Sequence, residues 1–210
     1  MPLHRHGTIV TLSRLVLLLL LQAVLATSAD AAEPGVVARI NGAPTVERAG
    51  KSRPLRPADT VSVGDIIVTD AAAKLKLLLA DDSVLAIGPR SRVALDELML
   101  SADSRTVKLR VLAGRFKIAI AKFFGGASTY EVHTPTAVAG VRGTVLWGDT
   151  DLDAICALDG HIEVRAISGN GPASQLAPGE CVNQMATGKT APLKPSAAEL
   201  AGYLKEVTLE

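Results

Sequence analysis

Apolar residues in this chain come in short runs, alternating or unbroken, and each run is closed within a few residues by a turn signal. Residues 74–80 (KLKLLLA), 83–87, 107–112, 115–121, 130–134 and 145–147 all have this form. Alternation with period two buries one face of an extended segment, so many short runs of this kind specify an all-β sandwich or barrel. Asn41-Gly42, between 36–40 and 43–49, and Asp159-Gly160, between 154–158 and 161–167, predict two-residue hairpins with positive φ at the central positions. Asp81-Asp82 and Ala113-Gly114 predict two more hairpins, and residues 180–185 the last strand. Pro, Gly and Lys mark 188–195 as a linker. Within 196–210, Ser196 and Glu199 form a capping box ahead of Leu200 and Leu204, which predicts a short amphipathic C-terminal helix.

The first 31 residues stand apart from this pattern. Arg5 and Arg14 precede an apolar stretch at 15–26 and a small-residue site at Ala29-x-Ala31. The stretch is shorter than the ~20 residues a membrane-spanning helix needs, and its flanks are those of a secretory signal cleaved after Ala31. The expected mature chain, 32–210, carries no transmembrane segment and belongs in the periplasm. It divides into a β domain at 32–187, the linker and the helix.

The 22 Lys and Arg residues are matched by 21 Asp and Glu with no basic block, which excludes a nucleic-acid binder. Removing residues 1–31 leaves acidic and basic residues in equal number. Cys156 and Cys181 are the only cysteines; in an oxidising compartment they are expected to form a structural disulfide. Asp149, Asp151 and Asp153 alternate, but neither Ala154 nor Gly160 fits a calcium loop, so they are read as a solvated acidic turn. His133 and His161 have no partner at a spacing diagnostic of an enzyme. No nucleophile elbow, zinc helix or phosphate loop occurs, and the expectation is a non-enzyme with no catalytic, cofactor or metal residues.

Three stretches carry a resemblance to one family. Residues 56–69 (RPADTVSVGDIIVT), 79–89 and 133–144 (HTPTAVAGVRGT) resemble the FecR domain, the last through its Thr-Pro-x-Ala-x-x-Gly-x-Arg-Gly-Thr signature. The resemblance spans roughly residues 35–185. It implies an antiparallel β-sandwich of jelly-roll character, no catalysis, and a sensory or protein-binding role in envelope signalling with an envelope or membrane protein as partner. In the iron-citrate regulator that names the family, a cytoplasmic sigma-controlling segment and a membrane helix precede this domain. A secretory signal is expected in their place here, and on that expectation the sigma-factor role does not carry over. A small-ligand or glycan binder of the periplasm or cell wall is the alternative.

The signature residues are Thr134, Pro135, Gly140, Arg142, Gly143 and Thr144, with Asp65 of the Gly-Asp turn as the other polar element. Thr134-Pro135 forces extended backbone and removes a ladder donor, so a strand is expected to end or switch sheets there. Gly140 and Gly143 permit a bend. Arg142 needs acceptors or solvent. One account makes it an internal clamp on turn carbonyls and Asp65; the other makes it an anchor for a carboxylate or phosphate. Five of the six aromatic residues fall between Phe116 and Trp147 and are expected in the core, whereas exposure of Phe123, Phe124 and Tyr130 would indicate a binding face.

Overall fold

A computed structural model describes residues 34–169 and 171–209. The predicted signal peptide lies outside the described residues. In chain order the strands are β1 (Gly35–Asn41), β2 (Thr45–Arg48), β3 (Lys51–Pro54), β4 (Thr60–Val61), β5 (Ile66–Val68) and β6 (Lys74–Leu79). Then come β7 (Val84–Ile87), β8 (Arg92–Leu100), β9 (Ser104–Ala113), β10 (Arg115–Ala119), β11 (Ala127–His133) and β12 (Ala137–Val141). The series closes with β13 (Val145–Asp149), β14 (Ala154–Asp159), β15 (Ile162–Ala166), β16 (Ser174–Leu176), β17 (Cys181–Val182) and the helix α1 (Ala197–Lys205).

The strands form a sandwich of jelly-roll character. One sheet has the order β17-β14-β13-β10-β7-β6-β1-β4 and the other β16-β15-β12-β11-β9-β8-β5-β2-β3. Alternation decides what each strand buries. Leu75, Leu77 and Leu79 of β6 turn inward while Lys74 and Lys76 do not, and Val107, Leu109 and Val111 of β9 meet them from the other sheet in one core cluster. Fully burying a side chain of this size contributes about 1.5–3 kcal/mol, which is what holds the layers together.

The predicted strands form, but several of the predicted turns do a different job. Asp81-Asp82 does join a hairpin, β6 to β7. Asn41-Gly42, Ala113-Gly114 and Asp159-Gly160 do not: each carries the chain from one sheet to the other, since β1, β10 and β14 lie in the first sheet and β2, β9 and β15 in the second. The left-handed glycines at these corners, with φ of 79°, 87° and 67°, suit a crossing as well as a hairpin. Cys156 therefore lies opposite Trp147 on one side and Cys181 on the other, all within the first sheet.

Crossing also makes one pair parallel. β10 sits in the opposite sheet, so the chain returns in β11 running the same way as β9, and β9 and β11 pair in parallel register. The passage expected to be a Gly-rich bend contains an additional strand, β12, between β11 and β15.

The outer face of the first sheet is covered by the C-terminal segment. The predicted capping box forms: Ser196 accepts the Glu199 N–H, and Glu199 accepts the Ser196 N–H. Tyr203 stacks on Trp147 at 4.6 Å between centroids, above the Cys156–Cys181 disulfide. Ahead of the helix, Leu193 forms a backbone bridge with Cys181. Among the described residues no helix is long and apolar enough to cross a membrane.

Candidate functional site

The signature segment begins at a corner. Thr134 Oγ1 accepts the Ala137 N–H at 3.0 Å, and Thr136 Oγ1 donates to Asp153 Oδ1 at 2.5 Å, while Pro135 is exposed. Hydroxyl-to-backbone bonding of this kind turns the chain where proline cannot donate. In β12 the small residues Ala137 and Ala139 face the core, and Gly140 lies on the opposite side with open space where a Cβ would be. The bend is made by Gly143, whose φ is +63°. Thr144 O then accepts the Ile120 N–H at 2.8 Å, which ties the turn to the segment after β10. Thr144 is buried against Gly160, where a Cβ would stand 2.4 Å from its methyl group.

Asp65 and Arg142 are not brought together, so the expected internal clamp is not formed between them. Asp65 is taken by Arg48: Nε and Nη2 donate to its two oxygens at 2.6 Å each, and the Ser62 N–H donates at 2.8 Å. Burial alone would raise the Asp65 carboxyl, but the Arg48 guanidinium and the Ser62 N–H outweigh it and hold the group below its usual range. The turn before β5 is thus held by an arginine from β2. Arg142 is exposed and makes no hydrogen bond or ion pair among the described residues.

Arg142 instead lines a cleft of about 330 Å³ at one end of the sandwich, with Gly143, Lys122, Phe123, Phe124, Arg105 and Ser128. Here the connection after β10 passes between the signature turn and the β8–β9 turn. The Lys122 stem packs on Gly143, where an added Cβ would lie 3.3 Å from Lys122 Cγ, and Gly125 comes up against the Ala102 carbonyl. Lys122 is exposed and, like Arg142, has no partner among the described residues.

The floor of the cleft is built on a buried charge. Arg105 shares the inward parity of Val107, Leu109 and Val111, and its side chain is 1% exposed against 2% for Asp81, at 3.0 Å. Its Nη1 also donates to the Ala121 carbonyl at 2.9 Å, and Nε and Nη2 donate to Ser128 Oγ at 3.1 and 3.0 Å. The guanidinium lies 5.3 Å from the ring centroids of both Phe123 and Tyr130. Burial, with the Asp81 carboxylate nearby, pushes the Tyr130 phenol far above its usual range, so it stays neutral. Tyr130 therefore belongs to the core, Phe123 is half-buried, and Phe124 is 90% exposed. Exposure of a large aromatic to that degree beside two unpartnered cations marks this end as different from the rest of the surface.

Lys122, Ser128 and Arg105 were not singled out by the sequence pattern. For Arg105 the signal was its parity in β9. For Lys122 it was a cation next to Phe123-Phe124 and a Gly-Gly pair. The three alternating aspartates also part company. Asp149 is buried beside Arg115, 3.0 Å from its Nε, so it is not a solvated turn residue; Asp153 accepts from Thr136 and from the Ala186 N–H at 2.7 Å; Asp151 is exposed. His133 Nε2 lies 2.7 Å from Glu131 on the outer face of the second sheet, away from the cleft.

The fold is similar to two crystal structures of a candidate anti-sigma factor from Parabacteroides distasonis. Each superposes with a TM-score of 0.51 at 18% identity over 66% of this chain. The chain spans 64% and 63% of the length of those chains, and at this identity the likeness is one of fold. No curated protein matches the chain. The family model described as FecR protein matches residues 65–170, just over half of the 210-residue chain. That stretch begins at the arginine-bound Asp65 and contains both the cleft floor and the signature turn, and the chain belongs to the FecR family.

Proposed function

We propose that this chain is an exported, non-enzymatic binding module of bacterial envelope signalling. It acts in the periplasm after removal of residues 1–31, and the cleft end of the sandwich is its recognition surface. The observation that carries this is Arg142. A guanidinium in the signature turn is left without an acceptor among the described residues, beside Lys122 and an almost fully exposed Phe124. Residues kept for folding are packed and paired, as Arg105 is; residues kept for recognition are presented. Family membership supports a signalling context, with an envelope or membrane protein supplying the output. The Cys156–Cys181 disulfide supports an oxidising compartment.

Photo-crosslinking in intact cells tests this. Benzoylphenylalanine placed at position 124 is expected to capture an envelope protein, and the same probe at position 165 on the second sheet is not. Capture from 124 should be lost with Arg142→Gln. Equal capture from both positions would remove the cleft end as the recognition surface, and an uncleaved, cytoplasmic chain would remove the periplasmic assignment.

A second role, small-ligand binding, is favoured by a separate observation: the cleft is concave and its lining includes no carboxylate.

A further inference from the structure

Resting on the reading of the cleft end as the recognition surface, we propose that the cleft binds the phosphate group of an ester whose remaining part is apolar. The hydrogen-bonding inventory of the cleft leads there. A serine hydroxyl has one donor and two acceptor sites. Both acceptor sites of Ser128 are occupied by Arg105 Nε and Nη2, at 3.1 and 3.0 Å, which leaves its O–H free only to donate. Arg142 and Lys122 are donors by nature and have no partner among the described residues. The cleft therefore offers donors from three side chains and no side-chain acceptor.

Charge narrows the choice. Arg105 is neutralised by Asp81, whose Oδ2 also accepts from the Ser83 hydroxyl at 2.7 Å. Lys122 and Arg142 remain, two positive charges adjacent through the contact of the lysine stem with Gly143. A phosphate monoester carries about −1.5 to −2 charge at pH 7 and three acceptor oxygens, which matches two cations and three donating side chains. A carboxylate carries one charge. Arginine's planar fork suits two of the phosphate oxygens, and lysine and serine supply the third.

The apolar part follows from the walls. Phe123 forms one side, and Phe124 stands 90% exposed beside it. A volume of about 330 Å³ is at the small end of ligand sites, room for a phosphate and a ring or the first carbons of a chain. The same chemistry is offered by a soluble phosphate monoester and by the headgroup of a phosphatidate-type lipid.

The experiment is calorimetric titration of the mature chain with phenyl phosphate, inorganic phosphate and phenol, and sedimentation with phosphatidate-containing vesicles. Phenyl phosphate should bind more tightly than inorganic phosphate, and phenol not at all. Arg142→Gln and Lys122→Gln should each weaken phenyl phosphate about tenfold or more, as loss of a hydrogen bond to a charged group does. Phe124→Ala should weaken phenyl phosphate and leave inorganic phosphate unchanged. Vesicle binding displaced by phenyl phosphate would support the proposal with a lipid headgroup as the source; phenyl phosphate binding without vesicle binding would support it with a soluble ester.

The proposal is overturned by no binding of either phosphate, or by affinity unchanged in both Arg142→Gln and Lys122→Gln. If that happens while position 124 still captures an envelope protein in an Arg142-dependent way, the recognition surface stands and its phosphate chemistry falls. If the capture fails too, both fall.

Discussion

Arg105 and Arg142 line the same cleft and use the same group in opposite ways. Arg105 enters from the interior of β9, is 1% exposed, and is held by Asp81, the Ala121 carbonyl and Ser128. Arg142 sits outside, at the end of β12, with no acceptor among the described residues. A buried guanidinium without partners would cost several kcal/mol, so the fold surrounds Arg105 with acceptors. Solvent removes that demand at Arg142, and what remains is a donor available to something else. Arg48 stands between them: its side chain is 51% exposed, yet it makes two bonds to a carboxylate that is 1% exposed.

The sharpest break in this series is at the buried end. Asp81→Ala should strand Arg105 and lower stability by about 3–5 kcal/mol, read as a fall in the urea midpoint. The double variant Asp81→Leu with Arg105→Met should recover much of that loss, since apolar side chains of similar size remove both charges together. If Asp81→Ala unfolded at the wild-type midpoint, the floor of the cleft would not be held as described.

Asp65→Ala should come next, at about 1–3 kcal/mol, because the Ser62 N–H loses its acceptor while the half-exposed Arg48 can turn to water. The effect has a pH signature. The Asp65 carboxyl is held below its ordinary value of 3.8, so its contribution is full above that value and disappears as pH falls through the lower folded one. The gap in stability between the wild type and Asp65→Asn should therefore be constant at neutral pH and close below about pH 4.

Phe124→Ser should be close to neutral for folding, within about 0.5 kcal/mol, because the ring is 90% exposed. Weaker capture of the partner with unchanged melting would place this side chain in recognition alone. Lower stability would instead make the 123–126 connection part of the core.

The strands were legible because alternation is local: Leu75, Leu77 and Leu79 declare the buried face of β6 without reference to any other element. Which strand pairs with which was not. Asn41-Gly42 and Asp159-Gly160 have the backbone preferences of a hairpin turn, and the same preferences serve a corner between sheets. Only the order of the whole sheet separates the two. β8 escaped notice for a related reason, since register shifts at Arg92/Val93 and Leu95/Glu97 interrupt its alternation.

The site was half legible. The signature turn named Arg142 and its glycine, whereas Phe124, expected in the core with the other aromatic residues, stands 90% exposed. Its neighbours come from distant segments, Lys122 from the stretch after β10 and Ser128 from β11, and sequence does not show that these meet. Pairing Arg142 with Asp65 failed because Arg48, 17 residues before Asp65 in the chain, is closer in space: β2 pairs with β5 through Glu47 and Ile66, which sets Arg48 beside Asp65.

Equilibrium unfolding and phenyl phosphate titration of one variant, Arg142→Gln, test the central claim most directly. Stability within about 0.5 kcal/mol of the wild type together with phenyl phosphate affinity reduced about tenfold or more is the predicted result. A loss of about 2 kcal/mol or more in stability would contradict it, because Arg142 would then be a clamp of the fold and not its presented donor.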